Sequence, residues 1–170
     1  VDGTPGRAVQ LNRGAAAASG SQLWFVHADT RLTETSFPSL IRSLRRSTEA
    51  LHFFRLRFYD GGPLMRLTEA GVEFRAGLLK VPFGDQAFCI GRREFDRCGG
   101  YDETAPYGED HLLLWTARRL GIPVLCTGGT VETGAAKYIR NGWFRMTLRH
   151  GVLTWKQALP KLFGREVSRA

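Results

Sequence analysis

The stretch Leu23-Trp24-Phe25-Val26-His27-Ala28-Asp29-Thr30 decides how this chain is read. Four consecutive apolar residues, Leu23 to Val26, are the mark of a strand buried inside an α/β sheet. The run then delivers a carboxylate, Asp29. Open α/β sheets bind ligands at the carboxyl ends of their strands, so this acid is expected at a binding edge. A second acidic step, Glu109-Asp110, opens a helical pattern later on, and Gly84-Asp85-Gln86 lies between the two. Carboxylates arranged this way suit a divalent cation and a phosphate-bearing substrate, which favours an enzyme over a binding module.

Outward from that strand, helices and strands alternate along the chain. Residues 7–18 are rich in alanine, follow Pro5-Gly6 and stop at Ser19-Gly20, which predicts a helix. Residues 38–47 predict another, with Leu40, Ile41 and Leu44 inward and arginines outside. Phe54, Leu56 and Phe58 alternate with Arg55, Arg57 and Tyr59, the period of a strand with one wetter face. Helix is expected over 64–76, a short strand over 87–90, one helical turn over 93–97, and a firmer helix over 109–120. Residues 122–126 predict a further buried strand. The tail, 142–163, is helical in pattern but interrupted near Gly151 and at Pro160. This alternation predicts a layered α/β domain.

Composition narrows the partners. The chain has 170 residues, enough for one good core and short for two. Its formal net charge of +8 favours anionic partners. The charge is thinly spread, as Arg42, Arg45 and Arg46, then Arg92 and Arg93, then Arg118 and Arg119, which reads as solvated helix faces and argues against nucleic acid. Cys89, Cys98 and Cys126 have neither disulfide-framework nor metal-knuckle spacing, and a reduced, cytoplasmic setting is expected. No run is long enough for a membrane span, and nothing at the start resembles a signal peptide.

Each candidate residue has a plain reading beside the chemical one. Asp29 can ligate Mg²⁺ or Mn²⁺, or it can order a turn with Thr30 and Thr33. His27 can meet a phosphate or a metal, although a lone histidine at a strand end is more often structural. Asp110, in the first turn of a helix, is placed to take a proton from a substrate hydroxyl; Glu109 supports it or caps the helix. Asp85 grips hydroxyls or ties a turn. Arg7 lies near a helix N-terminus where an anion can bind, with Gln10 and Asn12 beyond it. Arg55 and Arg57 share a strand face that can line an anionic cleft. Walker, GxGxxG, HExxH and GxSxG motifs are all missing from the sequence.

Together, the segment Gly6-Arg7-Ala8-Val9-Gln10-Leu11-Asn12-Arg13-Gly14-Ala15, the HADT stretch, Pro82-Phe83-Gly84-Asp85-Gln86 and Lys137-Tyr138-Ile139-Arg140-Asn141-Gly142 resemble a bacterial branch of the family 2 inverting glycosyltransferases. The resemblance implies a GT-A-like, Rossmann-like mixed sheet, a nucleotide-sugar donor, and Mg²⁺ or Mn²⁺. It puts Asp29 at the metal-binding acid of the family's DxD motif, with His27 at the motif's first acidic position. Asp110 falls on the acid of the ED motif, the base that deprotonates the acceptor, with Glu109 beside it. Asp85 and Gln86 then contact donor sugar or acceptor, and Asp2 the nucleotide.

Two departures shape the remaining expectations. The family's first strand and nucleobase loop would precede Val1, and the stretch after Gly3 is short, so the N-terminal βα units are expected to be incomplete. Residues 1–141 are assigned to the catalytic domain, and 142–170 to an amphipathic helical tail packed on it. One alternative is a non-catalytic nucleotide- or sugar-binding remnant of the same scaffold. Another uses the basic surface with Trp143, Phe144, Leu148, Trp155 and Leu159 for peripheral membrane contact, at the inner face of the membrane, or for self-association. A lipid-linked acceptor would reconcile that last reading with the first.

Overall fold

The computed structural model of the chain describes residues 6–145 and residue 147. Its elements are α1 (Arg7–Ala17), β1 (Gln22–Trp24), β2 (Thr30–Leu32), α2 (Ser36–Leu44), β3 (Leu51–Phe58), α3 (Leu64–Gly77), a 3₁₀ turn (Gly84–Gln86), β4 (Cys89–Gly91), α4 (Arg92–Arg97), α5 (Glu109–Arg119), β5 (Val124–Thr133) and α6 (Ala136–Asn141). The strands form one mixed sheet in the order β1-β4-β3-β5-β2. β3 and β5 run parallel, and every other neighbouring pair is antiparallel. The fold is therefore mixed α/β.

The HADT stretch behaves differently from a simple buried strand. β1 ends at Trp24, and Phe25 adds one further bond from its N–H to the Phe88 carbonyl at 2.8 Å. The chain then leaves the sheet, Val26 becomes 37% exposed, and a turn closed by the Thr30 N–H on the His27 carbonyl (3.0 Å) leads into β2. β1 and β2 lie at opposite edges. Strands about 4.8 Å apart put those edges about 19 Å apart in a flat sheet. Six residue steps reach barely that far when fully extended. A link that also contains a turn requires the sheet to curl, so this segment crosses the ends of three strands.

β3 is the centre of the core, and its alternation divides the apolar residues between two faces. Leu51 and Phe53 join α1, Phe88, Ile90, Phe95, Leu113 and Ala117 on one side. Phe54 and Leu56 join Leu40, Cys89 and Val131 on the other, with Trp24 stacked on Phe54 at 5.5 Å. The first half of β3 is buried on both faces; the alternation expected from Phe54 onward is clear at exposed Arg55 and buried Leu56, while Arg57 and Phe58 are both half-buried. His52 is a buried structural histidine, bonded through Nδ1 to the Ser43 hydroxyl (2.8 Å) and through Nε2 to the Ser47 carbonyl (2.9 Å).

Several basic residues turn out to be fasteners. Arg92 donates to the carbonyls of Ala15 (3.0 Å), Ala18 (2.6 Å) and Gly20 (3.1 Å), closing the C-terminal end of α1. Arg55 and Arg57 do not line an open anionic cleft. They pair with Glu73 (3.5 Å) and Glu69 (3.2 Å) of α3 and strap that helix to β3.

β5 is longer than the buried strand read from 122–126. It bulges between the pairs Phe53–Cys126 and Arg55–Thr130, with Gly128 at φ 80° in the bulge, and then continues to Thr133 beside β2. β2 and α6 were not expected at all. Asp2, Leu148, Trp155, Leu159 and most of the proposed tail lie outside the described residues.

Candidate active site

Strand polarity sets where the candidate residues meet. β1, β3 and β5 point the same way, and β4 runs against them. The carboxyl end of β1, the loop before β4 and the N-terminus of α5, which leads back to the start of β5, therefore share one end of the sheet. His27, Asp85 and Glu109-Asp110 sit on these three segments.

Their contacts show the same convergence. Arg7, in the first turn of α1, donates from Nη2 to Asp110 Oδ2 at 2.7 Å and lies 3.1 Å from Glu109 Oε1 through Nε. The same guanidinium meets His27 Nε2. The 3₁₀ turn presses on the same carboxylate: a Cβ built on Gly84 would collide with Asp110 Cγ and both its oxygens. Only glycine lets that backbone come so close. Gly108, at φ 74°, makes the sharp entry that starts α5 at Glu109.

The electrostatics follow from burial. Asp110 and Glu109 are both buried. Burial pushes the Asp110 carboxyl up, Arg7 opposes this, and the charges of Glu109 and Asp85 reinforce it, leaving the group at about 7. Desolvation and the Arg7 charge hold His27 below its ordinary value, against the pull of Asp85, Asp29 and Glu109. Asp110 Oδ1 and Asp85 Oδ1 are buried without a hydrogen-bond partner, an exposed cost unless a ligand or water satisfies them.

Two expected ligand contacts are structural instead. Gln86 is fully buried; its Nε2 donates to the Phe54 carbonyl (2.8 Å) and its Oε1 accepts from the Phe83 N–H (3.1 Å), so it shapes the turn that presents Asp85. Asn12 donates to the Tyr101 carbonyl (2.8 Å) and Glu103 (2.9 Å) and accepts from the Tyr101 N–H (2.9 Å). It ties α1 to the loop before α5, at a distance from the carboxylates set by the helix. Both side chains were drawn toward backbone groups that the sequence does not mark.

Arg75 and Tyr101 were missed. Arg75 stacks on the Phe83 ring (3.4 Å from guanidinium carbon to centroid) and donates through Nη1 to the Val81 carbonyl. Its Nη2 is buried without a partner, and burial lowers its pKa to about 10 while Asp85 acts against that shift. Its position three residues after Val72 and one before Ala76, on the inner side of α3, was the available signal. Tyr101 is buried between Phe25 (5.1 Å, edge-on) and Phe95, and desolvation with the Asp110 charge raises its phenol well above the usual range.

Asp29 stands apart from this buried set, exposed at the tip of the turn after His27. The Thr33 hydroxyl, a possible capping partner by sequence, donates instead to the Thr130 carbonyl at 2.8 Å. Among the described residues no group of three His, Cys, Asp or Glu side chains is disposed to hold a metal ion. One exposed carboxylate fits a Mg²⁺ or Mn²⁺ that arrives with substrate phosphates and water; it does not fit a resident ion caged by protein. No helix among the described residues is long and apolar enough to cross a membrane.

No model of a known protein family matches this chain, and no curated protein matches it either.

Proposed function

We propose that this chain transfers a sugar from a nucleotide-sugar donor to an acceptor hydroxyl with inversion, on a GT-A-like sheet. The observation that carries the reading is Asp110: a buried carboxyl at about 7, in a cluster with Glu109 and Arg7, at the ligand-binding end of the sheet. A general base works best when its pKa lies near the working pH, and an ordinary surface aspartate is far too acidic for that.

In this reading Asp110 accepts the acceptor hydroxyl proton as its oxygen attacks the anomeric carbon. The carbon–oxygen bond to the diphosphate breaks on the opposite face, and the diphosphate leaves with the electron pair. Arg7 is the nearest cation for that developing charge; moving from Asp110 to the phosphates would also free the base. A Mg²⁺ or Mn²⁺ bound with the donor would be held by Asp29 and would neutralise the departing diphosphate. Asp85 offers an unfilled acceptor and Arg75 an unfilled donor, the pair of bonds that a sugar hydroxyl can make.

The test is transfer or hydrolysis across a panel of nucleotide sugars with Mn²⁺, with the product anomer read by NMR. Inversion, and a loss of about 10²–10⁴ in rate for Asp110→Asn, are expected. Retained configuration, or an Asp110→Asn variant as fast as the parent, would overturn the reading.

A further inference from the structure

The fold gathers arginines that the sequence keeps apart. β1 starts at Gln22, β3 starts at Leu51 and β4 ends at Gly91, so these termini lie at the end of the sheet opposite Asp85 and Asp110. A cleft of about 770 Å³ opens there between α4 and the loop before β3, a volume within the range of small-molecule sites. A hollow of about 280 Å³ adjoins it, sharing Thr48 and Glu49. Arg93 and Arg97 line the cleft, and Arg45 and Arg46 line the hollow. Arg93 approaches Glu49 only to 4.0 Å, with both side chains in solvent, so that pair contributes little. Arg45 and Arg46 are exposed and make no ion pair among the described residues. Arg92 is engaged elsewhere, on the carbonyls that end α1.

The floor of the cleft has the opposite character. The Glu94 side chain is only 5% exposed, and its ion-pair partner, Arg97, stands at 4.0 Å, beyond hydrogen-bond length. No hydrogen-bond donor reaches that carboxylate among the described residues. Its Oε2 rests over Gly91, where an added Cβ would stand 2.3 Å from it and 3.0 Å from the Thr48 carbonyl oxygen. Glycine keeps that space open. Gln22 lies opposite Gly91 in the sheet; its Nε2 donates to the Thr48 carbonyl at 3.2 Å, and its Oε1 is buried with no hydrogen-bond partner. Buried acceptors without donors are costly, so this floor suits a ligand that brings donors to it.

We propose that this cleft binds a phosphate ester of a polyol, with its phosphate on Arg93 and Arg97 at the rim and its hydroxyls on Glu94 and Gln22 at the floor. Each half excludes a simpler ligand. A neutral sugar leaves the rim guanidiniums without the anion they are shaped to hold. Inorganic phosphate leaves the floor without donors. An amino acid would answer Glu94 with an ammonium, but would set that charge among the arginines. Hydroxyls donate to a buried carboxylate without adding charge of either sign. This inference is independent of the transferase reading, whose acids lie at the other end of the sheet.

Titration of glucose 6-phosphate into the ¹⁵N-labelled full chain, followed by NMR beside glucose and inorganic phosphate, tests it. The ester should shift the Thr48 and Gly91 amides, leave Gly108 and Asp110 unmoved, and bind at least about tenfold more tightly than either part. Arg93→Ala and Arg97→Ala alter exposed side chains, and each should weaken the ester about tenfold. Glu94→Gln should weaken the ester while leaving inorganic phosphate bound no less tightly. Vesicles carrying phosphatidylinositol 4-phosphate distinguish the sources of such an ester. Saturation by glucose 6-phosphate names a soluble ligand, saturation by the vesicles alone names a lipid headgroup, and either supports the proposal. Inorganic phosphate as tight as the ester, binding that ignores both arginine substitutions, shifts confined to Gly108 and Asp110, or no binding of ester or vesicles would overturn it. Tighter binding of a single-stranded oligonucleotide would assign the arginines to nucleic acid and overturn it as well.

Discussion

Asp110 is ion-paired and yet held near neutrality, and the two facts have different origins. Arg7 is half in solvent, so its attraction is screened, whereas the desolvation of Asp110 is not. Two pH effects result, with opposite meaning. As the proposed base, Asp110 would act when ionised, so kcat/KM of the proposed transfer should rise with pH and level off above about 7. Stability runs the other way. A carboxyl raised from 3.8 to about 7 in the fold costs nothing at pH 3, and its cost grows as pH climbs through that window. Asp110→Asn should therefore stabilise the protein at pH 8, by up to about 4 kcal/mol at 1.36 kcal/mol per unit, and by little at pH 3. Urea melts at the two values check this; an equal effect at both would show that the carboxyl titrates normally. Gly84→Ala acts on the same group, because its methyl would collide with the Asp110 carboxylate. It should cost at least about tenfold in kcat and about 1–3 kcal/mol in stability, a pairing that parallel kinetics and melts would detect.

Residue by residue, the acids were easier to find than their surroundings. Asp85, Glu109 and Asp110 carry their position in local pattern: a turn between apolar runs, and the first turn of a helix. Asn12 and Gln86 looked equally polar, but their partners are backbone groups 89 and 32 positions away, set by packing alone. Arg75 was hidden for the converse reason, since a charge on a helix is usually a solvated one.

At the scale of elements, long periodic segments were legible and short edge pieces were not. α1, α3 and α5 fall within a residue or two of their sequence boundaries, because alanine content, apolar spacing and glycine stops are local signals. β2 has three residues and exists only because β5 extends past its bulge to receive it. α6 is one short helix whose start is set by the chain leaving β5. Asn12 shows how such joints can be tested. Asn12→Ala removes three hydrogen bonds between α1 and the loop at Tyr101 and should cost about 2–3 kcal/mol in a denaturant melt. It should also weaken activity, since α1 carries Arg7. A variant with parent stability would mean that the loop is held by its aromatic contacts alone.

Over the whole molecule, the layered α/β architecture was readable from alternation, and the site's location from strand polarity. The crossing of residues 25–29 from edge to edge was not, because the partner of β2 lies a hundred residues away. That crossing leaves Asp29 exposed in the turn immediately before β2. The proposed function requires this end of the sheet to bind a nucleoside diphosphate with a divalent cation at Asp29. Calorimetric titration of UDP and GDP, with and without Mn²⁺, into the parent chain and Asp29→Ala tests it most directly. At least one nucleotide should bind in a way that depends on Mn²⁺ and is lost in the variant. Binding that ignores both Mn²⁺ and Asp29, or no binding of either nucleotide, would contradict it.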